Sequence, residues 1–254
     1  MFAEERKNRI MAMLKKNNRV TVDELVVIFS VSGATIRTDL KDLELLGYII
    51  RTYGGAIIRD DVVNGEDSIK ERKDKNLVQK INIAKKARGF IEEGDIIIID
   101  TGTTTFELAK QLNNAKNITV ITNDLNIGLE LQKNKDITLI LIGGKIRSDF
   151  ECTVGIMGTQ FLGVLTANKL FMSANAFSLT KGATTPNIEQ AEMKSKMIDI
   201  SQTVYLLCDS SKMGKRTLCS FATVKKIQCI ITDNDLPQEE KMHFEKEGVN
   251  VILC

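Results

Sequence analysis

Apolar residues in the first fifty positions recur at helical spacing. Ile10, Met13 and Leu14 make one face, Val22, Leu25, Val26 and Phe29 a second, and Ile36, Leu40 and Leu43 a third. Asn17-Asn18 and Ser30-Val31-Ser32-Gly33 interrupt these faces. The spacing therefore predicts three short helices between Glu4 and Gly47, with Gly47 ending the third. Tyr48 to Ile58 reads as two short strands around a glycine turn, which completes a winged helix-turn-helix layout. Arg59 to Asn76 is polar and reads as a linker. Within it Ser68, Arg72, Asn76 and Lys80 recur every four residues, so its later part begins a helix running on to Ile91.

Beyond Gly94 the pattern changes. Candidate strands are Ile96–Asp100, Ile118–Thr122, Ile137–Ile142, Lys169–Ala174, Val204–Cys208, Ile227–Thr232 and Val249–Leu253, most of them continuously apolar, as strands buried on both faces must be. Helical stretches such as Thr104–Leu112, Leu125–Gln132, Ile188–Ile200 and Pro237–Glu247 separate several of them. Alternation of this kind predicts an α/β domain with a parallel sheet covered by helices. The expected division is 1–58 for the winged helix-turn-helix, 59–76 for the linker and 77–254 for the α/β domain.

Composition narrows the chemistry more than the fold. No apolar run approaches the roughly 20 residues that span a bilayer, and Met1 to Lys7 lacks the apolar stretch of a secretory signal. Five scattered cysteines (Cys152, Cys208, Cys219, Cys229, Cys254) without C-x-x-C spacing point to a reducing cytoplasm, with neither disulfides nor a zinc site. Trp is absent and His243 is the only histidine, which argues against a His-based triad or metal site; no cofactor is expected. The net charge of +2 is weak as a sign of nucleic acid, although the whole excess falls within residues 1–58.

A helix-turn-helix needs a supporting helix, a tight turn and a second helix whose outer face reaches base edges. Thr21 with Glu24 forms an S/T-x-x-E capping box for the supporting helix, and Ser32 can cap the recognition helix. Burying Ile36, Leu40 and Leu43 leaves Thr35, Arg37, Thr38 and Lys41 outward, where short hydroxyls and long cations suit groove and phosphate contacts. Arg51 and Arg59 in the wing region are candidates for adjacent backbone contacts. A small helical packing module with solvated charges produces the same periodicity.

In the α/β domain, Ile96–Asp100 runs into Thr101-Gly102-Thr103-Thr104-Thr105 and straight into a helix. A glycine-flanked hydroxyl cluster at a helix N-terminus is an anion cradle, because backbone N–H groups, hydroxyls and the helix dipole all favour negative charge. It lacks the G-x-x-x-x-G-K-S/T of a nucleotide loop. Further polar groups follow other strands: Asn123-Asp124, Gly143-Gly144-Lys145-x-Arg147, Asn175, and Asp209-Ser210-Ser211-Lys212. Ligands in α/β sheets sit outside the carboxyl ends of strands, where Lys145, Arg147 and Lys212 can each neutralise a phosphate. Threonines capping a helix without a ligand, and cations that are simply solvated, are the plainer reading; only convergence distinguishes the two.

Taken literally, the N-terminal residues Arg6, Ile10, Leu14, Val20-Thr21-Val22-Asp23-Glu24-Leu25, Phe29-Ser30-Val31-Ser32-x-x-Thr35-Ile36-Arg37-x-Asp39-Leu40, Leu43-Glu44, Gly47 and Arg51-Thr52-x-Gly54-Gly55-Ala56 resemble the winged helix of the DeoR (deoxyribose-operon repressor) family. The resemblance continues through Asp100-x-Gly102-Thr103-Thr104-Thr105, Thr122-Asn123, Asn126, Gly143-Gly144-x-x-Arg147, Val154-Gly155, Gly182-x-Thr184-Thr185-Pro186-Asn187, Glu192-x-Lys194 and Asp209-Ser210-Ser211-Lys212, and so spans almost the whole chain. It implies a repressor of a carbohydrate-utilisation operon, binding double-stranded operator DNA and responding to a phosphorylated sugar, as a homodimer or homotetramer. Ser32, Thr35, Arg37, Thr38, Lys41, Arg51 and Tyr53 are the implied DNA-binding residues. Asp100, Thr101, Gly102, Thr103, Thr104, Thr105, Asn123, Arg147, Asn175 and Lys212 are the implied ligand-binding residues. The family usually has arginine at Thr38 and histidine at Tyr53. The family's sensor domain is similar in fold to ribose-phosphate isomerase, which makes a sugar-phosphate isomerase the enzyme alternative. The isomerases carry a Gly-Ala-Asp-x-x-Asp stretch; here Ser173-Ala174-Asn175-Ala176-Phe177-Ser178 stands in its place, and an amide cannot act as a general base at neutral pH.

Overall fold

The structure, a computed structural model, describes residues 3–17, 19–45, 49–58 and 68–254, and the chain divides into two compact units, 1–64 and 65–254. Gly47, Tyr48 and Arg59 fall outside the described residues.

The first unit contains α1 (Ala3–Asn17), β1 (Arg19–Thr21), α2 (Val22–Phe29), α3 (Gly33–Leu45), β2 (Ile49–Thr52) and β3 (Gly55–Ile58). Its core is Ile10, Leu14, Val22, Leu25, Phe29, Ile36, Leu40 and Leu43, with Val20, Ile49 and Ala56 from the strands. The expected faces are thus the buried faces, with Met13 and Val26 at their margins. Thr21 and Glu24 form the expected capping box. One element was not expected, the strand β1 between the first two helices. Arg19-Val20-Thr21 pairs antiparallel with β3, which gives a three-stranded sheet in the order β1-β3-β2. Three residues of alternating exposure are too few for a periodicity to register.

Buried inside this small core is a charge pair. Arg6 Nε and Nη2 grip the Asp39 carboxylate at 2.5 and 3.1 Å, tying α1 to α3. Two-pronged geometry of this kind compensates for desolvating both charges.

The second unit opens with α4 (Ile69–Asp74) and α5 (Leu77–Arg88). A single helix was expected here; the chain instead breaks at Lys75-Asn76, with Lys75 extended and Asn76 left-handed at φ 54°. Asparagine is among the few non-glycine residues that tolerate that conformation. The residues from Ser68 to Asn76 are accordingly part of the second unit, capped at Ser68 by a box with Glu71. There follow β4 (Ile96–Ile99), α6 (Thr103–Lys110), β5 (Ile118–Thr122), α7 (Leu125–Leu131), β6 (Ile137–Leu141), β7 (Lys145–Arg147), β8 (Cys152–Val154), α8 (Ile156–Leu162) and β9 (Ala167–Met172). The remainder is β10 (Ala176–Ser178), β11 (Gly182–Thr185), α9 (Ile188–Asp199), β12 (Ser201–Leu207), β13 (Cys219–Ala222), β14 (Cys229–Thr232), α10 (Gln238–Lys246) and β15 (Asn250–Leu253).

Seven strands form one parallel sheet in the order β15-β14-β12-β9-β4-β5-β6, and each corresponds to an apolar run of the sequence. Both faces are covered, one by the cluster around Leu170, Met172 and Leu206, the other by that around Ile97, Ile99 and Phe171. The short antiparallel pieces, β7 with β8 and β10-β11-β13, escaped the sequence reading. Chain order runs outward from β4 to β6 and then returns on the other side to β9, so β4 and β9 flank the topological switch point. Helices diverging to opposite faces leave a crevice at the carboxyl ends of such strands.

Candidate functional site

Two surfaces of different character carry the residues that the sequence singled out. On the first unit, α3 presents Arg37, Thr38 and Lys41 outward, while Ile36, Leu40 and Leu43 face the core. Ser32 caps the helix: its Oγ accepts from Thr35 N at 3.1 Å and lies 2.9 Å from Thr35 Oγ1. Thr38 Oγ1 donates back to the Ala34 carbonyl at 3.1 Å. Arg37 and Lys41 are therefore the long cations on the exposed helical face. In the wing, β2 and β3 pair through Thr52 and Gly55, leaving Tyr53-Gly54 as the two-residue loop. Gly54 takes φ +86°, and Tyr53 stands fully exposed at the tip. Arg51 is bound by Glu44, Nε to Oε2 at 2.7 Å, and this pairing holds the Glu44 carboxyl below its ordinary pKa.

On the second unit, a cleft opens at the switch point. Gly102, Thr103 and Thr104 follow β4; Ser173, Ala174 and Asn175 follow β9; Leu207 ends β12, and Cys208, Asp209 and Lys212 follow it; Arg72 of α4, Lys75 and Asn76 at the break, and Lys80 of α5 close it. Gly102 is required by proximity: a Cβ there would lie 2.3 Å from Ser173 Oγ. Without a side chain, the amides at the start of α6 stay open to the cleft.

The expected ligand residues divide. Gly102, Thr103, Thr104, Asn175 and Lys212 line the cleft together. Asp100, Thr101, Thr105 and Asn123 are fully or almost fully buried and outside the lining; each makes a hydrogen bond within the protein, while Asp100 Oδ1 and Asn123 Oδ1 are buried without one. Asp100 Oδ2 accepts from Ser173 N at 3.1 Å and from the buried ammonium of Lys194. Thr101 Oγ1 donates to Asp124 at 2.7 Å, Thr105 Oγ1 to the Gly102 carbonyl at 2.9 Å, and Asn123 Nδ2 to the Thr153 carbonyl at 2.8 Å. They shape the rim rather than line it. Burial raises the pKa of Asp124, with the hydrogen bonds from Ile127 and Thr101 opposing the shift. Arg147 stands apart from the cleft, its guanidinium 3.6 Å over the Phe150 ring and Nη1 3.2 Å from Gln190. Lys145 pairs with Glu189 at 2.9 Å. Of the three cations expected at the rim, only Lys212 reaches the cleft, because the β7–β8 hairpin carries the other two elsewhere.

Sequence reading missed the wall made by α4 and α5. Lys80 is only 4% exposed, and its ammonium closes the C-terminal end of α4 by donating to the carbonyls of Arg72 and Lys75, the latter at 2.5 Å. Burial pushes the Lys80 pKa from 10.5 down to about 8; Asp209 opposes the shift, while Lys212 and Arg72 add to it. Asn76 Nδ2 reaches across to Asp209 Oδ1 at 2.9 Å and Ser211 Oγ at 3.3 Å. An asparagine at a helix break was the one local signal available. Four cations (Arg72, Lys75, Lys80, Lys212) thus share the cleft with a single carboxylate, Asp209. Where a field is this one-sided, an anion is the complementary ligand.

Among the described residues, no helix is long and apolar enough to cross a membrane, and no cluster of His, Cys, Asp and Glu is suited to a metal ion. The five cysteines are free; burial raises the Cys152 and Cys229 thiols to about 11.

Each of the two units matches a known family. The DeoR-like helix-turn-helix domain matches residues 6–62, and the DeoR C terminal sensor domain matches residues 75–234. The HTH-type transcriptional regulator GolR of Listeria innocua is 34% identical over 100% of both chains. The lactose phosphotransferase system repressor of Staphylococcus epidermidis is 35% identical over 97% of this chain and 98% of its own length. Among solved structures, ribose 5 phosphate isomerase A from Neisseria gonorrhoeae is similar at 18% identity and a TM-score of 0.40, over 54% of this chain and 53% of its own. With family matches on both units and full-length relatives among transcriptional regulators, the chain belongs to the DeoR family.

Proposed function

We propose that this protein is a cytoplasmic repressor of a carbohydrate-utilisation operon, and that a phosphorylated sugar bound in the cleft of the second unit modulates its affinity for operator DNA. The observation that carries the reading is the convergence of four cations, one carboxylate and the open N-terminus of α6 on one crevice. A phosphate ester matches that charge, and Asn175 with Asp209 can hold sugar hydroxyls. Arg37 and Lys41 on α3 suit base-edge and phosphate contacts, Thr35 and Ser32 the start of the same helix, and Tyr53 with Arg51 the neighbouring backbone. The repressor function is supported by relatives such as the lactose phosphotransferase system repressor. Reading a two-fold operator calls for a dimer or tetramer.

The isomerase alternative finds little support in the side chains. Asn175 is an amide, Ser178 Oγ accepts from Lys181 N, and Glu192 is exposed outside the cleft-lining set. The test is a thermal-shift screen against sugar phosphates combined with operator binding in their presence. A ligand that binds only the native state raises the melting temperature. We expect at least one ester to raise it and to change operator affinity, and Thr104→Val to blunt both effects while leaving operator binding alone. Steady turnover of an ester would replace this reading with the enzymatic one.

A further inference from the structure

The helix α4 is an unusual piece of structure. It has six residues and none of them is buried. Isolated helices this short are unstable in water, so its persistence depends on contacts outside itself. Those contacts are polar. Arg72 lies 5.2 Å over the Phe150 ring, Lys73 approaches Glu151 at 3.4 Å, and Asn76 just beyond the helix is held by Asp209. Its C-terminal carbonyls are closed by the Lys80 ammonium.

The same contacts place positive charges side by side. Arg72 and Lys75 from α4, Lys80 from α5 and Lys212 beyond β12 all line one cleft, with Asp209 the only carboxylate among them. No residue of α4 is fully buried, so its docking depends on what its polar side chains can hold. Burial is the main cause of the depressed Lys80 pKa, and the charges of Lys212 and Arg72 add to it. A dianion seated among the four would attract all of them at once and so tie α4 to α5 and to the residues after β12.

We infer that α4 is an anion-dependent clamp: a phosphorylated ligand in the cleft bridges Arg72 and Lys75 to Lys80 and Lys212, and so fastens the helix to the second unit. This rests on the cleft being the effector site proposed above. It adds that the helix nearest the DNA-binding unit in sequence is itself part of the ligand's coordination. Ser68 follows β3 by only residues 59–67, so docking or release of α4 sets how much chain connects the two units. Releasing residues 68–75 would lengthen that connection by up to roughly 26 Å of extended chain. A ligand with no contact to the winged unit can thereby alter the freedom with which that unit meets an operator, which is coupling through differential affinity for two states.

Hydrogen exchange on the full-length protein, read by mass spectrometry, tests this with glucose 6-phosphate, ribose 5-phosphate, inorganic phosphate and uncharged glucose as probes. At least one ester is expected to slow exchange about tenfold or more across residues 69–76, as well as across 102–106 at the start of α6. Lys75→Gln, at an exposed position where the fold is not at risk, is expected to reduce the protection of 69–76 and weaken apparent affinity for the ester severalfold; Lys80→Met should act more strongly. Protection of both segments by inorganic phosphate alone would mean that the anion suffices, in support of the clamp. Protection of 102–106 without 69–76 overturns the clamp and leaves the effector site standing. Equal protection of 69–76 by glucose overturns it too, since charge would not be the cause. Absence of any response to either ester, in exchange or in melting temperature, removes the effector site and the clamp with it.

Discussion

The two units handle charge in opposite ways. In the winged unit the candidate DNA-contacting cations point outward from a purely apolar interior, and the buried exception among the described residues, Arg6 with Asp39, is a structural pair joining α1 to α3. In the α/β unit, charged and hydroxyl side chains gather inside, at the carboxyl ends of β4, β5, β9 and β12: Asp100, Thr101, Asn123, Asp124 and Lys194 are all buried there. A surface that meets a large polyanion can remain solvated until contact, since its ligand brings charge over a wide area. A site for a small anion must hold its groups in place beforehand, and that requires a layer of buried polar residues behind the rim. Buried polarity thus distinguishes the sensing surface from the reading surface.

The contrast breaks most visibly at Lys194. Its ammonium is buried on Asp100, so Lys194→Ala leaves a carboxylate uncompensated in the interior; we expect a loss of about 3–5 kcal/mol in the unfolding of the α/β unit by urea, with the winged unit unaffected. A loss below about 1 kcal/mol would mean that solvent reaches Asp100 and that the buried layer is not rigid. Arg37→Ala should do the reverse. It is expected to weaken operator binding by about 1–3 kcal/mol, leaving melting temperature and sugar-phosphate response unchanged. Equal loss of DNA and ligand binding would show that the units do not act separately.

Next in size comes the pH response of Lys80. Its folded pKa, about 8, lies below the ordinary 10.5, so between these values the unfolded chain holds a proton that the folded protein lacks. Its contribution to stability therefore rises with pH through that window. Ligand affinity moves the other way, because the cleft loses a cation: a fall of about tenfold from pH 7 to pH 9 is expected in a calorimetric titration with a responsive ester. Lys80→Met should flatten both trends, and a wild-type affinity that is constant over this range would refute the role given to the ammonium. The smallest effect is local. Thr21→Ala removes the cap and half the capping box of α2, which we expect to cost the winged unit about 1 kcal/mol in thermal unfolding.

Much of this architecture was legible in the residues. The seven sheet strands each contain an apolar run, most complete in β4, because a parallel sheet covered on both faces leaves little polar alternation along its strands. The helix-turn-helix announced itself through three faces and two caps. What escaped were β1, β7, β8, β10, β11 and β13, all of three or four residues. Some pair with distant partners, as Thr185 with Cys219 illustrates, and the hairpins β7–β8 and β10–β11 are too short for an alternation to register. In the cleft, Gly102, Thr103, Thr104, Asn175 and Lys212 were readable because strand ends are where α/β sheets place ligands. Arg72, Lys75 and Lys80 were not, since on a polar helix they look like solvated charges. Their meaning comes from the break at Asn76, which turns α4 toward the switch point. Arg147 is held by an aromatic ring and by Gln190, contacts that a linear motif does not show.

The bare backbone at Gly102 has a last consequence. Because Ser173 Oγ occupies the space that any larger residue would need, the spacing between two neighbouring strand ends and the width of the ligand's doorway are the same dimension. A methyl group added there cannot narrow the doorway without also wedging β4 away from β9. Evolution can retune the sugar preference of this protein through Asn175, Asp209 or the α4 wall, but at that one spot the scaffold and the receptor are not separable parts.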